Sequence, residues 1–173
     1  MATTVAGLII VLGLMVSLAR YVRESAAVDL TKRLLRQLDA MAGQYMARHG
    51  GQLPIVVPFV TPQSPLEENP LLASATENNR GFVAAFRAEA GLAATPFVGL
   101  PDAIYNDATL RDAWGTPIVL MPAMHPAIGM APQNRPFFFS AGPDCRYLTQ
   151  EDNLYSYEEV PTPRRSLDDG GAD

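Results

Sequence analysis

From Ala2 to Ala19 no position carries charge, and Leu8, Ile9, Ile10, Val11, Leu12, Leu14, Met15, Val16 and Leu18 fill the middle of the run. Past Arg20 the pattern becomes a stripe. Leu30, Leu34, Leu38, Met41 and Tyr45 recur at spacings of four and three, which puts them on one face of a helix. Asp29 and Arg33, four apart, support the same helix on its wet side. His49-Gly50-Gly51 and then Pro54 supply a stop. Together the two patterns predict one long helix, apolar all round at first and one-sided afterwards. About 18 uncharged residues rise roughly 27 Å, just enough for a hydrocarbon core of about 30 Å. Gly7 and Gly13 are tolerated there, because lipid offers the backbone no other partner. Residues 1–19 are therefore read as a transmembrane segment, and 20–51 as an amphipathic continuation whose stripe packs on the chain's own head. A cleaved signal peptide is the rival reading, since Ser17-Leu18-Ala19 has suitably small residues. The opening Met-Ala-Thr-Thr has no positive charge, which favours retention.

Between residues 52 and 110 the texture changes. Pro54, Pro58, Pro62, Pro65, Pro70, Pro96 and Pro101 exclude a long helix and favour extended loop. One helical island is expected from about Glu77 to Ala90, with Phe82, Val83, Phe86 and Ala90 as its apolar side, Thr76 as N-cap and Gly91 as C-cap. Three short strand signals follow: Pro117–Met121, Phe137–Ala141 and Leu154–Tyr157, each bounded by proline, glycine or polar residues. Residues 111–160 are thus read as a small antiparallel sheet laid on the amphipathic half of the first helix, an α+β arrangement. From Pro161 the composition is that of a disordered tail, 161–173.

Charge narrows the function classes. The chain has 173 residues and a net charge of −5, unevenly spread. Residues 1–50 carry Arg20, Arg23, Lys32, Arg33, Arg36 and Arg48 against Glu24, Asp29 and Asp39. The stretch 144–173 is acidic, so the head lacks the positive face that nucleic-acid binding requires. Cys145 is the single cysteine, and no disulfide within the chain is possible. Two motifs stand out. In Asp112-Ala113-Trp114-Gly115-Thr116-Pro117, Trp114 is expected to plug the core with Phe138, Gly115 to supply a turn, and Asp112 to bond nearby amides. Ser140-Ala141-Gly142-Pro143-Asp144, with Thr149 and Glu151-Asp152-Asn153 after it, ends a strand in an acidic loop that either wraps a cation or bonds its own backbone. A catalytic Ser140–His125–Asp144 set can be written down, but Ser140 lacks the Gly-x-Ser-x-Gly elbow, and a periplasmic hydrolase is the least supported reading.

An apolar N-terminal helix, a basic amphipathic continuation ending at His-Gly-Gly-Gln-Leu-Pro, an Asp-x-Trp-Gly-x-Pro turn and a Ser-Ala-Gly-Pro-Asp loop occur here in the order found in type II secretion pseudopilins. Over about residues 5–53 and 110–157 the chain resembles the G-type major pseudopilin, within the wider type IV pilin-like class. The resemblance implies a pilin-like fold and a single-pass inner-membrane protein with a periplasmic head. It also implies assembly with copies of itself or with other pseudopilin-like subunits, and no enzymatic activity or small-molecule substrate. A calcium ion in the C-terminal loop is implied too. Calcium needs about six to eight oxygen ligands, and Asp144 and Asp152 would lead, helped by Glu151, Asn153 and Ser140. Arg146 is the competitor, able to replace a cation by pairing with Asp152. The family's short basic leader and its Phe-Thr-x-x-x-Glu start are not found, the first acid being Glu24. Processing by a prepilin peptidase, and assembly through that buried glutamate, are therefore not implied. A solitary anchored binding module that keeps the fold without polymerising is the alternative. Charge bias alone would put the head in the cytoplasm, and the resemblance puts it outside.

Overall fold

The structure, a computed structural model, describes residues 2–61, 66–90, 97, 99–106 and 108–158; for 2–14 and 90 it describes the backbone only. Helix α1 runs unbroken over Ala2–Arg48 and α2 over Glu68–Ala90. Strands β1 (Val119–Met121), β2 (Phe137–Ser140) and β3 (Leu154–Tyr155) form one antiparallel sheet in the order β1-β2-β3. Leu120 sits opposite Phe138, and Ser140 opposite Leu154. The α+β class and the long helix over a small sheet are as the sequence predicts. The apolar side chains of 2–14, the helix stop at Gly91 and the tail from 161 lie outside the described residues. Among those described, no helix is long and apolar enough to cross a membrane.

Helix α1 ends as the glycine pair predicts. Gly50 adopts φ +64°, and the amide of Gly51 donates to the Met46 carbonyl at 2.8 Å, six residues closing on one. That bond satisfies a carbonyl the helix would otherwise orphan, and glycine reaches the left-handed conformation without a Cβ penalty.

The head-facing stripe of α1 is turned slightly from the expected one. Thr31, Leu34, Leu35, Leu38 and Ala42 are buried, and Met41 and Tyr45 pack partly buried against them. Leu30, expected in the core, is 44 % exposed. It directly precedes the buried Thr31, at the margin of the stripe. Residue spacing fixes a face only to within one neighbour, and Leu35 occupies the centre instead.

Helix α2 begins about nine residues before the expected start. Pro70 lies in its first turn, where the missing N–H costs nothing, and Leu71 and Ala75 have a core to enter. Thr76 is consequently no N-cap; its hydroxyl donates to the Leu72 carbonyl one turn back, at 2.9 Å. The 52–110 segment contributes to both cores through Phe59, Leu71, Phe82, Val83 and Phe86.

Both faces of the sheet are covered. Leu120, Phe138 and Leu154 meet α1 and the second half of α2, whereas Val119, Met121, Phe137, Phe139 and Tyr155 meet Phe59, Tyr147 and the start of α2. This explains the uninterrupted Phe137-Phe138-Phe139 run, because a strand buried on both sides needs no polar alternation. Phe138 is fully buried, as expected. Trp114 is only half-buried, packed on the edge of the first core, and so is no plug. Gly115 is exposed at φ +93°; it makes the turn and is not core.

Candidate functional site

Helix α2 passes the outer edge of β1, and two consecutive asparagines finish the sheet there. The Asn78 side chain receives the Leu120 amide at 2.8 Å and donates to the carbonyls of Leu120 (3.0 Å) and Val57 (2.9 Å). Asn79 receives the Leu110 amide at 2.8 Å and donates to the carbonyls of Leu110 and Ile118. Both are fully buried. A carboxamide carries the same donor and acceptor as a peptide group, so these side chains replace a missing neighbour strand. The signal was present in the sequence as two amides interrupting an apolar helical face, between Ala75 and Phe82.

Asp112 is the hub beneath the C-terminal loop. One carboxylate oxygen accepts the amides of Trp114 (3.0 Å) and Thr116 (2.9 Å). The other accepts the hydroxyls of Thr116 and, at 2.6 Å, Ser140. Four donors offset the desolvation of a charge that is almost completely buried. The amide of Gly142 in turn donates to the Ser140 hydroxyl oxygen at 3.0 Å. Asp112 bonds nearby amides as its motif predicts, and the same motif fixes the start of the following loop.

That loop is pressed against its own return. A Cβ on Gly142, at φ +69°, would lie 2.0 Å from the Asp152 carbonyl oxygen, so glycine is required. Glu68 then clamps the far side: its two oxygens accept the amides of Tyr147 (3.0 Å) and Leu148 (3.1 Å). Arg146 faces Glu68 at 4.0 Å, and no pairing with Asp152 is found among the described residues. The buried Tyr147 hydroxyl donates to the Pro117 carbonyl at 2.8 Å. Burial first, then the charges of Asp112 and Glu68, push the Tyr147 phenol well above its ordinary range. Burial and the carboxylates of Asp112 and Asp144 likewise raise the Cys145 thiol.

Three of the five candidate calcium ligands have other partners. Ser140 is buried and bonded to Asp112, and Asn153 is buried with its amide donating to the Tyr147 carbonyl at 2.9 Å. Asp144 accepts the Arg146 amide at 2.9 Å, an Asx-type turn within the loop. Glu151 and Asp152 are exposed. Among the described residues no three His, Cys, Asp or Glu side chains come together to hold a metal. The buried Asn153 side-chain oxygen has no hydrogen-bond partner among the described residues. Among the described residues no hydrogen bond joins Ser140, His125 and Asp144. His125 accepts the amide of Ala127 within its own turn, and Ser140 and Asp144 have the partners given above.

At the other end of the molecule, residues 15–26 of α1 are exposed on every side. Met15 and Leu18 are each 63 % exposed and Tyr21 68 %, so the helix leaves the head as a bare rod. The head holds the rod's base through Asp39, which accepts the Ser156 hydroxyl at 3.2 Å and pairs with Arg135 at 3.4 Å, and through Lys32, which pairs with Glu158 at 3.4 Å. No family model, curated protein or solved structure matches the chain.

Proposed function

We propose that the chain is a pseudopilin-like structural subunit of a type II secretion or type IV pilus-like apparatus. In this reading it is anchored by a single pass in the inner membrane with its head in the periplasm. It acts by helix packing and head contacts, catalyses no reaction, and partners copies of itself or similar subunits. One observation supports the reading: a 47-residue helix whose later half is built into the head, while residues 15–26 of it are exposed and the sequence before them is uncharged and apolar. A helix that is hydrophobic all round requires either a protein core or lipid around it. The order of the Trp-Gly turn and the Ser-Ala-Gly-Pro-Asp loop supports the same family. In the head both motifs serve one hub at Asp112.

Co-expression with a prepilin peptidase and the remaining apparatus tests the reading. Fibres containing this chain, seen by microscopy after membrane fractionation, are expected. A membrane-bound chain that stays monomeric in mild detergent and enters no fibre favours the solitary anchored module. That second reading is favoured by the lack of any acid between Val5 and Ala19, where the family's assembly glutamate would fall.

A further inference from the structure

We infer that Arg20 and Arg23, on the free part of α1, form a collar that binds the headgroups of anionic phospholipids and sets the depth of the rod in the bilayer. The inference rests on the anchored reading. Lys32, Arg48, Arg80, Arg135 and Arg146 each face a carboxylate within 4.0 Å. Arg20 and Arg23 are exposed and make no ion pair among the described residues. The single acid near them is Glu24, so this stretch of rod is cationic.

Their place along the helix matters as much as their charge. On the N-terminal side stand Met15, Val16 and Leu18, exposed and apolar, and Tyr21 lies between the two arginines. Apolar residues, then a tyrosine, then arginines is the order in which a helix leaves hydrocarbon and enters the headgroup layer. Three residues apart, the arginines differ by about 4.5 Å along the axis and about 60° around it, which lets both reach one layer of phosphates. A guanidinium matches phosphate oxygens in a two-pronged fashion. A net-negative headgroup is preferred to a zwitterionic one because no ammonium of its own competes. Arg33 and Arg36 are also exposed and make no ion pair among the described residues, but they lie roughly 15–24 Å further along the axis, at the level of the head. That separation exceeds a Debye length of about 8 Å at physiological salt, so they serve as a control of equal charge.

The full chain is reconstituted in phosphatidylcholine vesicles containing a trace of spin-labelled phosphatidylglycerol or spin-labelled phosphatidylcholine, and the motionally restricted fraction of each probe is read by electron paramagnetic resonance. Phosphatidylglycerol is expected to be preferred, on the order of fivefold for each arginine at low salt, with the preference falling as salt rises. The Arg20→Gln/Arg23→Gln double variant loses the preference, and Arg33→Gln/Arg36→Gln keeps it. Equal restriction of the two probes by the natural chain, or an equal loss in both double variants, overturns the inference and leaves the anchor standing. A natural chain that fails to float with the vesicles overturns the anchored reading, and the collar with it.

Discussion

Between Thr31 and Ala42, α1 buries Thr31, Leu34, Leu35, Leu38 and Ala42 against the sheet and α2; between Met15 and Ala26 the same unbroken helix buries nothing. The backbone hydrogen bonds are satisfied equally in both halves, so helical continuity does not distinguish them. Packing does. In most proteins a helix is held by the burial of one face and only weakly by its intrinsic propensity. Residues 15–26 receive no such burial from this head, and the head in turn should fold without them.

The contrast breaks most readily at Phe138. Phe138→Ala removes the side chain where α1, α2 and the sheet meet, and it should cost about 3–5 kcal/mol in urea unfolding. An equivalent truncation on the rod, Leu18→Ala, should leave the same transition in place. Asn79→Ala comes next. It strands the Leu110 amide and the carbonyls of Leu110 and Ile118 in the interior, a loss of about 2–4 kcal/mol read from the same curves. Near-neutral behaviour there would mean that α2 does not need its asparagines to close the sheet.

Tyr147→Phe should cost about 1 kcal/mol at neutral pH through the bond to the Pro117 carbonyl. It also carries a pH signature. The folded head holds the phenol neutral, while the unfolded chain releases its proton near the ordinary value of 10.0. Below that pH the contribution is complete; above it the unfolded chain binds fewer protons, so stability falls as pH rises. Burial raises Tyr155 in the same direction, so the phenylalanine variant should soften the alkaline decline of the melting temperature without abolishing it. The smallest effect is expected from deleting residues 1–26, which should move the head's unfolding free energy by no more than about 0.5 kcal/mol, since those side chains that are described there touch nothing buried. A large loss on deletion would join the two halves into one cooperative unit and end the comparison.

The sequence made the rod, the glycine stop and the three strands legible, because each has a local cause: an apolar period, a left-handed residue, a short run between prolines. The early start of α2 was hidden by Pro70, whose meaning depends on whether it falls in a first turn or an interior one. Leu30 and Trp114 looked central, yet α1 is rotated slightly about its axis and the Trp114 turn sits at the margin of its core. The partners of Asp112 were visible as neighbours in the case of Trp114 and Thr116. Ser140, 28 positions away, was not. Glu68 was the least legible of all, since nothing in its surroundings announces that it will meet the amides of Tyr147 and Leu148, about 80 positions on.

One side of β1 is sealed by amide side chains, and β3 at the opposite margin is two residues long. An incoming extended peptide would find almost no free ladder on which to zip, and self-propagating strand exchange between heads has little template. Heads that touch one another must then do so through the side chains on their surfaces, not by joining their sheets.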